Sequence, residues 1–372
     1  MLTKCYKKIL IIDGSYLIHR SLKISTLWEL KTSKGERTGG IFGFLRSMNS
    51  EIRSIPSDYY PVVTWDAGLD ARRTEVYPEY KRAHIKLAEH LARNGESEES
   101  IIEKLSSAGN PQSSVDQAIE SIRESIKSQR SGVLAEYNQD DYVIQYHRQR
   151  DRLITVLTAL GIPSIKVNGW EGDDLMVLLS RLADKSVVMT DDKDLIQLIS
   201  PNTMIFRPIA KEVLKCDEYM ESHNMYSTRE IIYNKAIVGD PSDNIPSVTY
   251  NLERKNRVGG VRAQTISRMI AEAKEDPSIY LPRLTEMHKN YYDGFVMNHS
   301  VFLRNMKLVD LDLVPDDESV VSTIKSEISS KAGKASLVSS IKLLAELEIN
   351  SFDINGCISR VLSSYPNIKE IN

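Results

Sequence analysis

Cysteine is scarce in this chain, and the three present, Cys5, Cys216 and Cys357, fall at no paired spacing. That excludes a disulfide framework and a thiolate zinc site. The seven histidines show no zinc-binding spacing either. A phosphate-cradling loop of the G-x-x-x-x-G-K-[ST] type is missing, and Asp192-Lys193-Asp194 lacks the glycine and distal glutamate of a calcium-binding loop. No apolar run approaches the ~20 residues that a membrane helix requires. The start from Met1 to Lys8 leads into neither a long apolar stretch nor a small-residue cleavage site. The expectation is an intracellular, cytoplasmic protein. Positive charge is also in short supply: the formal net charge is −3, whereas a polyanionic partner normally calls for a basic footprint.

What is present is apolar material, 41% of 372 residues, enough to bury at least one sizeable core. A length prior of ~150 residues per domain gives roughly two units. Short apolar runs at Ile9 to Ile12, Pro61 to Trp65, Ser164 to Val167 and Ser186 to Thr190 read as buried strands, with helical patterns between them. That alternation predicts an α/β domain with a mainly parallel central sheet flanked by helices. Gly40 to Ile52, with Phe44, Leu45 and Met48 on one side, and Leu175 to Leu182 are the helices expected to cover it. From about His84 to Gln139 the composition turns to Ser, Glu, Gln and Asn, with breakers at Asn94-Gly95 and Gly109-Asn110-Pro111, so no buried strand belongs there. Within it Val115, Ile119, Ile122 and Ile126 recur at helical spacing. Tyr142, Tyr146, Leu153 and Leu157 begin a stronger helix that Gly161 and Pro163 end. Beyond Thr228 the pattern is helical through Ile231, Ile232 and Ala236 to Val238, then turn-rich, then helical again from Arg262. The tail after Pro315 reads as helical or loop-like and carries no motif.

Carboxylates stand where strands end and helices begin, which is the functional rim of an α/β sheet. Asp13 follows the first strand and Asp66 the second, Asp192 and Asp194 follow Val187 to Thr190, and Glu171, Asp173 and Asp174 open the helix containing Leu175. Any one of them serves equally well as a helix cap, and an acidic first turn is favoured by the helix dipole alone. Several on one sheet edge are another matter: close carboxylates repel each other and protonate unless a cation neutralises them. Oxygen-only ligands point to hard divalent ions. Residues three apart share a helix face, so Glu171 and Asp174 can aim together while Asp173 takes a neighbouring direction. Asp240-Pro241-Ser242-Asp243-Asn244-Ile245-Pro246 is either a plain turn or a further contributor of two acids.

In order along the chain, Ile11-Ile12-Asp13-Gly14-Ser15, Thr38-Gly39-Gly40 with the helix after it, Trp65-Asp66, Arg72-Arg73, Tyr77-Pro78-Glu79-Tyr80-Lys81, Glu171-Gly172-Asp173-Asp174, Thr190-Asp191-Asp192-Lys193-Asp194 and Gly239-Asp240-Pro241-Ser242-Asp243 resemble the 5′-nuclease superfamily. This is the group of flap endonucleases, the 5′-nuclease domains of bacterial DNA polymerases and phage RNase H. The resemblance runs from about Lys8 to Leu311. It implies a PIN-like 5′-nuclease domain over residues 1–225 with a helical arch inserted at about 84–150, then a helix-hairpin-helix-type duplex-binding region over 226–315. The tail, 316–372, has no assigned role.

Carried over residue by residue, the resemblance makes Asp13, Asp66, Glu171, Asp173 and Asp174 ligands of a first metal region. Asp192, Asp194, Asp240 and Asp243 line a second. Two or more Mg²⁺ ions are implied, with Mn²⁺ as a substitute. Asp13, Asp66, Asp174 and Lys81 would be catalytic, Lys81 stabilising developing phosphate charge, although a surface lysine is by default a solvated charge on an aliphatic stem. Tyr80, Arg72, Arg73, Arg82, Arg254, Lys255, Arg257 and Arg262 would touch nucleic acid, unless Asp70 and Glu75 simply pair with Arg72 and Arg73. Setting aside the nine metal-site acids turns the formal balance of −3 into +6, which resolves the missing positive charge.

Three departures stand out. His84 occupies the place where relatives often carry arginine. The Ser/Glu/Gln-rich arch is long, and Thr249 to Asn256 interrupts the path to Val258-Gly259-Gly260, as in the phage RNase H branch, which is therefore favoured. The implied activity is in-line phosphodiester hydrolysis as a 5′ to 3′ exonuclease, flap endonuclease and RNase H, removing RNA primers in lagging-strand replication. Its substrates would be 5′ flaps, nicks and RNA–DNA hybrids. The protein is expected to act as a monomer in the (host) cytoplasm, with a single-strand DNA-binding protein or sliding clamp as partner. Two rivals are a catalytically idle binder of branched DNA with a structural metal, and a PIN-type RNase without the duplex grip. The full set of nine acids speaks against the first, and Asp240 to Arg268 against the second.

Overall fold

The computed structural model describes residues 2–68, 70–82, 85, 91, 96–107, 110, 112–130, 139–248, 260–287 and 290–369. Packing divides the chain into two units, one made of Met1–Gly68, Gln139–Glu221 and Leu311–Asn372, the other of Leu69–Asn138 and Ser222–Asp310.

The first unit is built on a sheet of strand order β3-β2-β1-β4-β5-β6. The strands are β1 (Tyr6–Asp13), β2 (Tyr60–Thr64), β3 (Ser164–Ile165), β4 (Ala183–Met189), β5 (Thr203–Arg207) and β6 (Glu212–Leu214). All neighbours are parallel except β5 and β6. Ile9 to Ile12 are buried without alternation, as expected of a strand covered on both faces. The covering helices include Gly39–Glu51, Gln139–Ala159 and Gly172–Leu182. They bring Ile41, Phe44, Leu153, Leu157, Leu175 and Leu178 into one core with the strands, each such burial contributing roughly 1.5–3 kcal/mol.

The tail belongs to this unit. Helix Glu318–Lys331 inserts Val320, Val321, Ile324 and Ile328 into the same core. Gly333 N–H donates to Tyr60 Oη at 3.0 Å, Arg360 donates to the Ile55 and Pro56 carbonyls at 2.9 and 2.8 Å, and Asn367 donates to the Asp58 carbonyl at 2.8 Å. The division is thus not the linear one read from the sequence. Residues 311–372 complete the sheet unit, and Leu69–Asn138 groups with Ser222–Asp310.

The second unit is helical, with Ile232, Tyr233, Ile237, Ile266, Ile270 and Phe302 at its centre. Helices Glu98–Ser107 and Gln112–Arg130 pair through a small core of their own, with Ile101, Leu105, Val115, Ile119 and Ile122 buried. Among the described residues no helix is long and apolar enough to cross a membrane.

Candidate active site

Strand register sets the site of the first unit. Asp13 pairs with Thr64, and Ile12 with Met189, so the carboxyl ends of β2, β1 and β4 are level, and neighbouring strands lie about 4.8 Å apart. Asp13 therefore sits beside the exits toward Asp66 and Thr190-Asp191-Asp192. The motif Asp13-Gly14-Ser15 has a separate task for each residue. Asp13 Oδ1 accepts from Tyr16 N at 2.9 Å and caps the following helix. Any side chain at Gly14 would press into the Thr64 carbonyl, 2.6 Å from the Cβ position. Ser15 Oγ accepts from Asp66 N at 3.0 Å, holding the second acid's backbone.

Asp66 in turn reaches the third element: its Oδ1 accepts from Gly172 N at 2.6 Å. This fixes the start of helix Gly172–Leu182 against the end of β2, a close approach that the glycine between Glu171 and Asp173 permits. Glu171 and Asp174 are buried, Asp174 completely, while Asp173 is half-buried. Thr190 Oγ1 donates to Asp13 Oδ2 at 2.9 Å and accepts from Asp192 N at 3.0 Å. Asp192 Oδ1 caps the short turn through Lys193–Leu198 by accepting from Asp194 N at 2.9 Å.

The electrostatics of this rim are uncompensated at Asp13. Burial pushes its carboxyl up to about 7, and the charges of Asp66 and Asp192 push the same way, against the bonds from Tyr16 and Thr190. An all-oxygen donor set in which Asp66 and Asp192 raise the proton affinity of Asp13 fits a hard divalent cation in type and charge. Among the described residues no three His, Cys, Asp or Glu side chains are drawn together into a ready cage.

Asp240, Asp243 and Lys81 belong to the second unit. Asp240 Oδ1 accepts from Ser242 N at 2.8 Å, and Oδ2 lies 3.1 Å from Lys235 Nζ. Burial would raise this carboxyl, but the Ser242 and Lys235 bonds and the lysine charge hold it below its ordinary value. These are the contacts of a turn acid. The Asp243 carbonyl accepts from Lys81 N at 2.8 Å, and Tyr80, buried, points its hydroxyl at Asp243 Oδ2 at 3.4 Å. Lys81 Nζ lies 5.4 Å from the Tyr80 ring centre.

The two arginines divide. Arg73 is buried, with Nη1 2.7 Å from Asp70 and Nε donating to the Leu308 carbonyl at 3.0 Å, so it ties helix Ala71–Val76 to helix His299–Val309. Arg72 also pairs with Asp70, at 2.7 Å, but its side chain stays 37% exposed. Arg82 is exposed. Arg268 bonds Glu272 at 3.4 Å and the Asn224 carbonyl at 2.9 Å. His84, Arg254, Lys255, Arg257 and the Thr249 to Asn256 interruption lie outside the described residues, as does the side chain of Arg262.

Sequence reasoning missed Thr190 as the hydroxyl that holds Asp13, although it stands in a quoted motif. It also missed His19, which stacks on Tyr146 at 4.2 Å and whose Nδ1 lies 2.6 Å from the Tyr142 hydroxyl. Its position on the helix just after Asp13 was the available signal.

A family model described as the 5′-3′ exonuclease, N-terminal resolvase-like domain matches residues 8–229. The chain is 26% identical over 246 residues to a 5′-3′ exonuclease of Aquifex aeolicus, a match covering 65% of each protein. It is 24% identical over 270 residues to the thermostable DNA polymerase I of Thermus thermophilus, covering 71% of this chain and 24% of that one. The match thus spans just under two thirds of the exonuclease and about a quarter of the polymerase. Among solved structures, the T5 D15 protein co-crystallised with metal ions aligns with a TM-score of 0.52 at 18% identity, covering 93% of this chain and 100% of that one. This last likeness is one of fold.

Proposed function

Because the chain belongs to the family of the 5′-3′ exonuclease N-terminal, resolvase-like domain, we propose that it is a metal-dependent 5′ nuclease hydrolysing phosphodiesters in DNA with 5′ flaps or nicks and in RNA–DNA hybrids. The observation that carries this reading is the sheet rim, where register sets Asp13 beside Asp66 and the Thr190 turn and burial holds Asp13 at about 7. Asp13, Asp66, Glu171, Asp173 and Asp174, with Asp192 and Asp194, are the residues we assign to divalent ions, Mg²⁺ first and Mn²⁺ as its substitute. Such ions neutralise phosphate oxygens and acidify water.

The remaining work falls to the chain's own groups. Thr190 and Tyr16 N–H orient the two oxygens of Asp13, and Ser15 and Gly172 orient Asp66. Lys81 is assigned to the phosphate charge that develops during hydrolysis, with Tyr80 and Arg82 beside it. Arg72, the more exposed of its pair, is preferred over Arg73 for a phosphate contact. Asp240 and Asp243 keep their second-metal role on the resemblance alone. Duplex recognition through backbone and shape, primer removal in replication, action as a monomer, a single-strand binding protein or clamp as partner, and the phage RNase H branch complete the reading.

The test is cleavage of a labelled 5′-flap duplex in Mg²⁺ by wild type, Asp174→Ala and the near-isosteric Asp174→Asn, with binding measured in Ca²⁺. Junction cleavage by wild type, lost at least about a thousandfold in both variants while Ca²⁺ binding persists, is the expected result. Tight binding by wild type with no cleavage in Mg²⁺ or Mn²⁺ would identify an idle binding protein instead.

A further inference from the structure

Lys81 and Arg82 have φ of 49° and 55°, consecutive left-handed residues that each carry a side chain, a conformation reached only when the surroundings over-determine it. The second unit supplies those surroundings. Arg82 N and the Asn244 side-chain Nδ2 both donate to the Glu79 carbonyl, at 2.9 and 3.0 Å. Lys81 N donates to the Asp243 carbonyl at 2.8 Å. Asn244 is itself left-handed, with φ 59°. Its turn is closed by a two-way backbone pair between Asp240 and Ile245, at 2.8 and 2.7 Å. On the other side, the Glu79 carboxylate accepts from the Tyr77 hydroxyl at 2.9 Å and from Ser114 Oγ on helix Gln112–Arg130 of the arch.

Asparagine suits this position in two respects. Its short polar side chain tolerates the left-handed region, and its carboxamide provides a donor that aspartate lacks. We infer that Asn244 is a positioning residue for Lys81: its left-handed backbone presents Nδ2 to the Glu79 carbonyl, which closes the turn and fixes the Cα from which the Lys81 side chain departs. The inference rests on the proposed role of Lys81.

A double-mutant cycle tests it. Asn244→Gly keeps the backbone freedom and deletes the donor, and Asn244→Asp keeps the shape and deletes the donor. Both are assayed for kcat and KM on a 5′-flap duplex, alone and combined with Lys81→Ala, with melting temperature as a folding control. The expected result is a fall of about tenfold in kcat with KM unchanged for Asn244→Gly. In the Lys81→Ala background it should have no further effect. Full kcat in both Asn244 variants while Lys81→Ala is crippled overturns the positioning role alone, and so do losses that multiply with that of Lys81→Ala. Full kcat in Lys81→Ala overturns the reading of Lys81 and this inference with it. Where Asn244→Gly does not fold, Asn244→Asp decides by the same cycle.

Discussion

Asp13 in the sheet unit and Asp70 in the helical unit are both aspartates capping a helix, and both are almost fully buried, at 6% and 1% exposure. Their acidities diverge. The groups acting most strongly on Asp13 after burial are a backbone N–H, a hydroxyl and two more carboxylates, and its carboxyl is pushed up to about 7. Burial acts upward on Asp70 as well, but the Arg72 hydrogen bond and the charges of Arg73 and Arg72 outweigh it and hold the carboxyl below its ordinary value. Burial alone therefore decides nothing. The helical unit neutralises its buried acid with its own arginines, whereas no basic side chain is among the groups that act on the buried acid of the rim.

The contrast can be broken most forcefully at Asp70. Asp70→Ala removes the buried carboxylate that Arg73 holds at 2.7 Å and is expected to destabilise the protein by about 3–5 kcal/mol, read from urea unfolding at pH 7. A loss below about 1 kcal/mol would show that the pair is dispensable. A carboxyl with a lowered folded value stabilises above its unfolded pKa and loses that contribution as pH falls through the folded value. The wild type should lose this part of its stability as pH falls from the ordinary carboxylate value through the lower folded one, and Asp70→Ala should not show that loss.

Asp13→Asn should act in the opposite direction. A raised folded value contributes stability that is fully present below the unfolded pKa and is lost as pH rises through about 7. Without divalent metal, the variant should thus exceed wild type by up to about 4 kcal/mol at pH 8, the gap vanishing near pH 4. Adding Mg²⁺ should raise the melting temperature of wild type and leave Asp13→Asn nearly unmoved. Equal melting curves at pH 8 would mean that the rim carries no excess charge.

The smallest effect is expected at Glu275, which lies 2.8 Å from Arg229 with half its side chain exposed while Asp310 holds the same arginine from a buried position at 2.9 Å. Glu275→Gln should cost about 1 kcal/mol or less, measured in the same unfolding series. A cost equal to that of Asp70→Ala would erase the distinction between exposed and buried partners.

The parts of this arrangement that could be read in the sequence are those with a one-dimensional signature. Ile9 to Ile12 and Val187 to Thr190 announce buried parallel strands by continuous apolarity, and the acids that follow them are placed at the rim by that fact alone. Strand β5 was not readable, because Thr203 and Arg207 bound an apolar run of only Met204, Ile205 and Phe206. Strand β6 was not readable either, being three partly exposed residues completed by antiparallel pairing. The tail gave no sign of its place, since which core Val320 and Ile324 enter depends on a return of the chain to β2 and β3. Nor does a sequence separate Arg72 from Arg73. Their neighbours in sequence are the same, and it is burial and a bond to the Leu308 carbonyl, 235 residues on, that make Arg73 structural.

The tail's return also orders the events of synthesis. Strands β1 to β6 are made before residue 222, yet the helix carrying Val320, Ile324 and Ile328 follows Asp310. A ribosome-bound chain must therefore hold its sheet without these apolar side chains while all of Ser222–Asp310 is translated. The unit whose first strand emerges earliest is the one that closes last.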